Sequence, residues 1–112
     1  MFFDNYKLHS EAQFNPALFW EYDQSRFDFT AQTALVVQRV IERGASEDFY
    51  AMLNLYGIDK VVSQIKEIPS LSQREIEFIS NIFSIPYNDM KAYKNLMLSP
   101  SLLKNSNQKI RI

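Results

Sequence analysis

The strongest constraint on this 112-residue chain is where its backbone must stop being helical. Only two glycines occur, Gly44 and Gly57, and each follows a stretch in which apolar side chains recur every three or four residues. Glycine just past a helix end adopts the left-handed conformation without a Cβ clash, so both are read as helix terminators. Pro69 and Pro86 add two further stops, because the residue before a proline avoids the α region. Ser72-Gln-Arg-Glu75 is a capping box, in which a serine accepts from the amide three residues on while the glutamate reaches back. This punctuation divides the chain before any hydrophobic period is counted.

The period then fills the intervals. Leu35, Val36, Val37, Val40 and Ile41 form a wide apolar stripe across 30–43, whose length favours a helix over a strand despite the β-branched residues. Ser46 reads as an N-cap, with Glu47 and Asp48 at the positive end of the helix dipole. Phe49, Met52, Leu53 and Tyr56 follow at helical spacing. Ile58, Val61, Val62, Ile65 and Ile68 mark a third helix from Asp59. A fourth carries Ile76, Phe78, Ile79, Ile82 and Phe83. A last one starts at Asn88 or Asp89 and uses Met90, Tyr93, Leu96 and Met97 as far as about Leu98. Upstream, Asn15-Pro16 reads as N-cap and first residue of a short helix through Tyr22. The expected fold is all-α: one compact bundle of five to six short helices with an irregular, aromatic-rich N-terminal segment. A single domain spans 1–98, with 1–13 loosely ordered and 99–112 a polar, basic, flexible tail.

Composition removes several classes of chemistry. The chain has no cysteine and one histidine, so disulfides, thiol nucleophiles and zinc ribbons are excluded. His9 stands alone in the N-terminal segment and reads as a surface residue, not a general base. No carboxylate cluster has metal-site spacing, and two isolated glycines do not make a phosphate-binding loop. No serine stands in a nucleophile-elbow setting. Glu47 and Asp48 point about 100° apart on a helix, so capping explains them better than acid–base work. The expectation is a non-enzyme with no metal and no cofactor. No run of 18 apolar residues and no signal-like N-terminus is present, which points to a cytoplasmic protein that does not enter membranes.

Two features suggest partners. Phe14, Phe19, Trp20, Tyr22, Phe27 and Phe29 concentrate aromatics within 16 positions, with Asp23, Arg26 and Asp28 among them as a local ion-pair network. Phe19, Trp20, Tyr22, Asp23 and Arg26 are the candidate partner-binding residues. The plainer reading is that the rings fasten the N-terminal segment to the bundle. The second feature is the helix–glycine–helix unit at 46–68, the outline of a helix-turn-helix. Lys60, Ser63, Gln64 and Lys66 are the candidate DNA-contacting residues. Against that, Leu53 occupies the place where a small residue is usual, and Asp59 and Glu67 balance the two lysines. The formal net charge is −1, yet residues 91–112 carry Lys91, Lys94, Lys104, Lys109 and Arg111 and no acid. Such a basic end suits either an acidic partner or plain solvation.

The string Leu18-Phe19-Trp20-Glu21-Tyr22-Asp23, with Arg26 and Phe29, resembles the opening of a family of small Bacteroidetes-type helical proteins of unknown function. The resemblance continues through Val40-Ile41-Glu42-Arg43-Gly44, Leu55-Tyr56-Gly57 and Ile82-Phe83-Ser84-Ile85-Pro86, covering roughly residues 17–95. Members of that family are often encoded beside nucleotidyltransferase toxins of the abortive-infection type. The resemblance therefore implies an antitoxin-like or toxin-associated accessory protein whose partner is such a toxin, and it carries no catalytic residues. A DNA-binding transcriptional regulator is the alternative.

Overall fold

The computed structural model describes residues 3–23 and 25–98. Among these the chain forms five α-helices and three short 3₁₀ segments, with no strand. The helices are α1 (Thr33–Arg43), α2 (Ser46–Tyr56), α3 (Ile58–Glu67), α4 (Gln73–Phe83) and α5 (Lys91–Met97). The 3₁₀ segments are Asp4–His9, Pro16–Phe19 and Tyr87–Asp89. The fold is all-α, as the period and punctuation require.

α1 is the hub, packing against α2, α3 and α4, while α5 closes over α3 and α4. Val36, Val37 and Val40 meet Met52 and Leu53, Val61 and Ile65, and Ile79 in a core where each of these is fully buried. α1 to α4 thus turn most of their three-to-four-residue apolar repeat inward, and removing that surface from water is the main source of stability.

The stops act through different physics. Gly57 has φ +84° and ψ 156°, a region open in practice to glycine alone, and its amide closes α2 on the Leu53 carbonyl at 2.8 Å. Gly44, expected to be left-handed, is extended at φ −76°, ψ 151°. Its requirement is close approach: a Cβ there would lie 2.6 Å from the Val40 carbonyl oxygen. The only described non-glycine residue with positive φ is Ser84 (φ 56°, ψ 43°), which ends α4. There the Ser80 carbonyl accepts from the Ile85 amide and the Ser80 hydroxyl donates to the Ile85 carbonyl at 2.7 Å, so a serine does what glycine usually does.

The capping box at Ser72 and Glu75 is formed, with reciprocal bonds of 2.8 and 3.1 Å. At α2 the N-cap is Ala45, not Ser46. Alanine has no acceptor to offer, and Asp48 compensates by taking the Ala45 amide itself at 2.8 Å. α1 starts at Thr33, later than Thr30, because Asp28 Oδ1 accepts the amides of Thr30 and Ala31 and holds them in a turn. The last predicted helix divides: Met90 is extended and fully buried, which separates the 3₁₀ turn at Tyr87–Asp89 from α5.

The N-terminal segment is docked, where the sequence suggested looseness. Phe3 is buried, its ring stacked on Phe49 at 5.0 Å and edge-on to Tyr50. Asn54 donates to the carbonyls of Tyr6 and His9, tying the first 3₁₀ segment to α2. The polar, basic stretch 99–112, with Lys104, Lys109 and Arg111, lies outside the described residues.

Candidate functional site

Asn15 caps the 3₁₀ turn Pro16–Phe19, its side chain accepting from the Ala17 amide at 3.0 Å, as the Asn-Pro pair predicts. The turn is anchored from two sides. The Asn15 amide donates to Oδ1 of Asp48 at 2.8 Å, fixing its start to α2. At its end, Arg39 of α1 grips Glu21 by donating from Nη1 and Nη2 to the two carboxylate oxygens at 2.7 and 2.8 Å, and Nη1 also donates to the Leu18 carbonyl at 2.8 Å. Such a bidentate fork fixes orientation as well as distance. It holds the Glu21 carboxyl below the ordinary carboxylate range, through the hydrogen bond to Arg39, and raises the Arg39 guanidinium.

With Leu18 and Glu21 both held by one arginine, the two residues between them take opposite sides. Phe19 is 1% exposed and sits in the core, whereas Trp20 is 72% exposed. Phe19 belongs to an aromatic ladder: Phe14 stacks on Phe29 at 5.6 Å, Phe19 lies edge-on to both, and Phe27 packs on Phe19 and Phe29. Tyr22 meets Phe27 at 5.4 Å and remains 42% exposed. The Tyr56 hydroxyl donates to the Phe29 carbonyl at 2.6 Å and ties the ladder to α2. Burial pushes that phenol up from its ordinary value.

The five candidate partner-binding residues therefore separate. Phe19 is an anchor of the fold and is withdrawn from any partner. Trp20 and Tyr22 present aromatic surface. Asp23 folds back on Ser25, accepting from its amide and hydroxyl at 3.1 and 2.7 Å, and lies 3.7 Å from the exposed Arg26. Tyr22, Asp23 and Arg26 line a shallow hollow of about 270 Å³ with Phe27, Asp28 and Gln32. Arg39, which sets the whole arrangement, carries no local sequence signal, since its partner lies 18 residues away. A second hollow, of about 390 Å³, opens at the other end of the ladder between Phe14 and Phe29 and the α2 residues Ala51 and Leu55. Leu55 is 51% exposed there.

The α2–Gly57–α3 unit has helix-turn-helix order. Leu53 is fully buried at the position in question. On α3, Lys60 places its ammonium 5.5 Å from the Tyr56 ring centroid, Ser63 is exposed, and Gln64 and Lys66 are half-buried. Glu67 at the end of the helix binds Lys91 at 2.8 Å. Asp59 and Glu67 thus bracket the two lysines of α3, and the helix carries no continuous basic track.

His9 stacks on Tyr50 with centroids 4.0 Å apart, and its Nε2 lies 3.5 Å from the Asn5 amide nitrogen. Among the described residues no three His, Asp or Glu side chains gather as a metal set. No described helix is long and apolar enough to cross a membrane.

Neither the curated proteins nor the solved structures give a match to this chain. Residues 14–65, which contain the Trp20 turn, its Arg39 clamp, α2 and most of α3, match the model of a family described as of unknown function, DUF6922, and that family is what the chain is similar to.

Proposed function

We propose that this chain is a non-catalytic interaction protein of the cytoplasm that presents the Trp20 turn to a protein partner. The observation that carries the reading is Trp20 itself. It is a large, mostly exposed aromatic on a turn clamped by a bidentate arginine and underpinned by a buried phenylalanine. Tryptophan and tyrosine supply much contact area with few rotors, and a turn already held in place loses little entropy on binding. Within the structure Trp20 contributes little to the core, and with the half-exposed Tyr22 it offers aromatic surface beside the clamp.

The resemblance stated above supplies the class of partner: a nucleotidyltransferase-type toxin, which the chain would neutralise or regulate by surface contact. Co-expression with the product of the adjacent gene, followed by pull-down, tests this directly. The expected result is a complex that wild-type protein forms and the Trp20→Ala variant does not, with relief of toxicity following the same order. Absence of a complex together with undiminished toxicity overturns the antitoxin reading.

A further inference from the structure

We infer that residues 3–23 and 25–32 form a strap that detaches from the five helices as one unit while the helices stay packed. Its release bares the face of α2 beneath it, where Phe49 carries the Phe3 ring and Tyr50 the His9 ring. The inference goes beyond the partner reading and does not depend on it.

The helices hold the strap by side chains aimed at its backbone. Asn54 donates to the Tyr6 and His9 carbonyls, Arg39 to the Leu18 carbonyl and Tyr56 to the Phe29 carbonyl, while Asp48 accepts the Asn15 amide, all at 2.6 to 3.0 Å. Within the strap, backbone amides close short turns on carbonyls three or four residues back, from Tyr6 on Phe3 to Gln32 on Asp28. Those turns can leave with the strap. The two halves also meet on one turn of α2, where Asn54 holds the start and Tyr56, two residues on, holds the end. A loss at either half therefore loosens the other.

Burial sets which part opens first. The strap is about three in ten of the described residues, each costing entropy to order, yet it supplies only Phe3, Leu18 and Phe19 of the 22 apolar side chains buried among them. A region with little burial per ordered residue and much exposed backbone opens below the global transition. The other buried side chains lie in the helices and the joints between them, where α1 packs on α2, α3 and α4. The bundle therefore keeps a core of its own when the strap leaves. The pivot is the turn ahead of α1, in which Asp28 accepts the amides of Thr30 and Ala31.

Native-state hydrogen exchange on the full chain, read residue by residue at rising sub-denaturing guanidinium, tests this. The amides of Tyr6, Ala12, Leu18 and Tyr22 are expected to converge on one opening free energy with a shared denaturant dependence. That level should lie below the one at which Val61 and Ile65 of α3 exchange. Asn54→Ala removes a tie from α2 to the start of the strap, and Arg39→Gln removes one from α1 to its middle. Each is expected to speed exchange at all four amides by a common factor, about fivefold for Asn54→Ala and about tenfold or more for Arg39→Gln. Strap release and global unfolding both lose the tie, so the gap between the strap and α3 should stay as in the wild type. Strap amides that exchange only at the α3 level, or at rates indifferent to denaturant, overturn the inference. So does a variant whose effect stays at its own end of the strap. The wild-type pattern decides by itself where a variant is too unstable to measure.

Discussion

Replacing Asp48 by alanine is expected to be among the most damaging single changes in this fold. The carboxylate is 3% exposed and accepts two backbone amides, Ala45 at the start of α2 and Asn15 at the start of the Trp20 turn, both at 2.8 Å. Hydrogen bonds to a charged group contribute about 1.5–3 kcal/mol each, and an amide left buried without a partner loses more. Water reaching the truncated site offsets part of that, so the expected loss is about 3 kcal/mol. For a domain of this size 1 kcal/mol corresponds to about 4 °C, which places the drop in melting temperature at about 12 °C. Asp48→Asn keeps one acceptor but turns an amide group toward the other backbone N–H, and should lose about 2 kcal/mol. Glu47→Ala is the control: the residue is exposed in the same helical turn, and its removal should change stability by no more than about 0.5 kcal/mol. Thermal and urea unfolding by circular dichroism measure all three, and hydrogen exchange at Ala17 and Leu18 follows the turn locally. If Asp48→Ala melts within 2–3 °C of wild type (on the order of 0.5 kcal/mol), the double capping role assigned to Asp48 is wrong.

Four further outcomes follow from the same structure. Phe19→Ala should lose about 3–5 kcal/mol, whereas Trp20→Ala should stay within about 0.5 kcal/mol, a contrast between neighbours that one pair of urea titrations reads. Ser84→Gly should stabilise by about 0.5–1 kcal/mol, because glycine removes the Cβ strain at φ 56°; an unchanged or lower melting temperature would place the serine's value elsewhere. Gly44→Ala should destabilise by at least about 1 kcal/mol through its approach to the Val40 carbonyl, and Gly57→Ala by a similar amount through backbone strain alone. The Glu21 carboxyl is depressed by Arg39, so the clamp's contribution is complete above the ordinary carboxylate value and is lost as pH falls through the lowered folded value. Trp20 fluorescence anisotropy should therefore hold constant at pH 5 and fall in more acid solution, and Arg39→Gln should remove that transition.

The helices were legible because their ends are written in single residues. Gly57, Pro69, Ser72 and Glu75 each act through their own backbone, a chain neighbour or a partner three positions away, so α2, α3 and the start of α4 lie where the sequence places them. Gly44 was legible as a stop but not as to cause, since proximity to the Val40 carbonyl cannot be told from left-handedness without coordinates. What stayed hidden depends on distant pairs. Phe3 is held by rings from α2 and α4, Asp48 by an amide 33 residues earlier, and Arg39 by Glu21. Phe19 and Trp20 are adjacent aromatics with no period to separate them, and only the clamp decides which one faces water.

That clamp also bears on how fast a partner comes and goes. A floppy turn must find its bound shape during an encounter, which slows association and makes it vary with mutation. Here the shape is set during folding by one guanidinium, so arrival at Trp20 should proceed at the ordinary rate for two oriented surfaces, about 10⁵–10⁷ M⁻¹s⁻¹. Substitutions at Trp20 would then alter how long a complex lasts, and substitutions at Arg39 how often it forms.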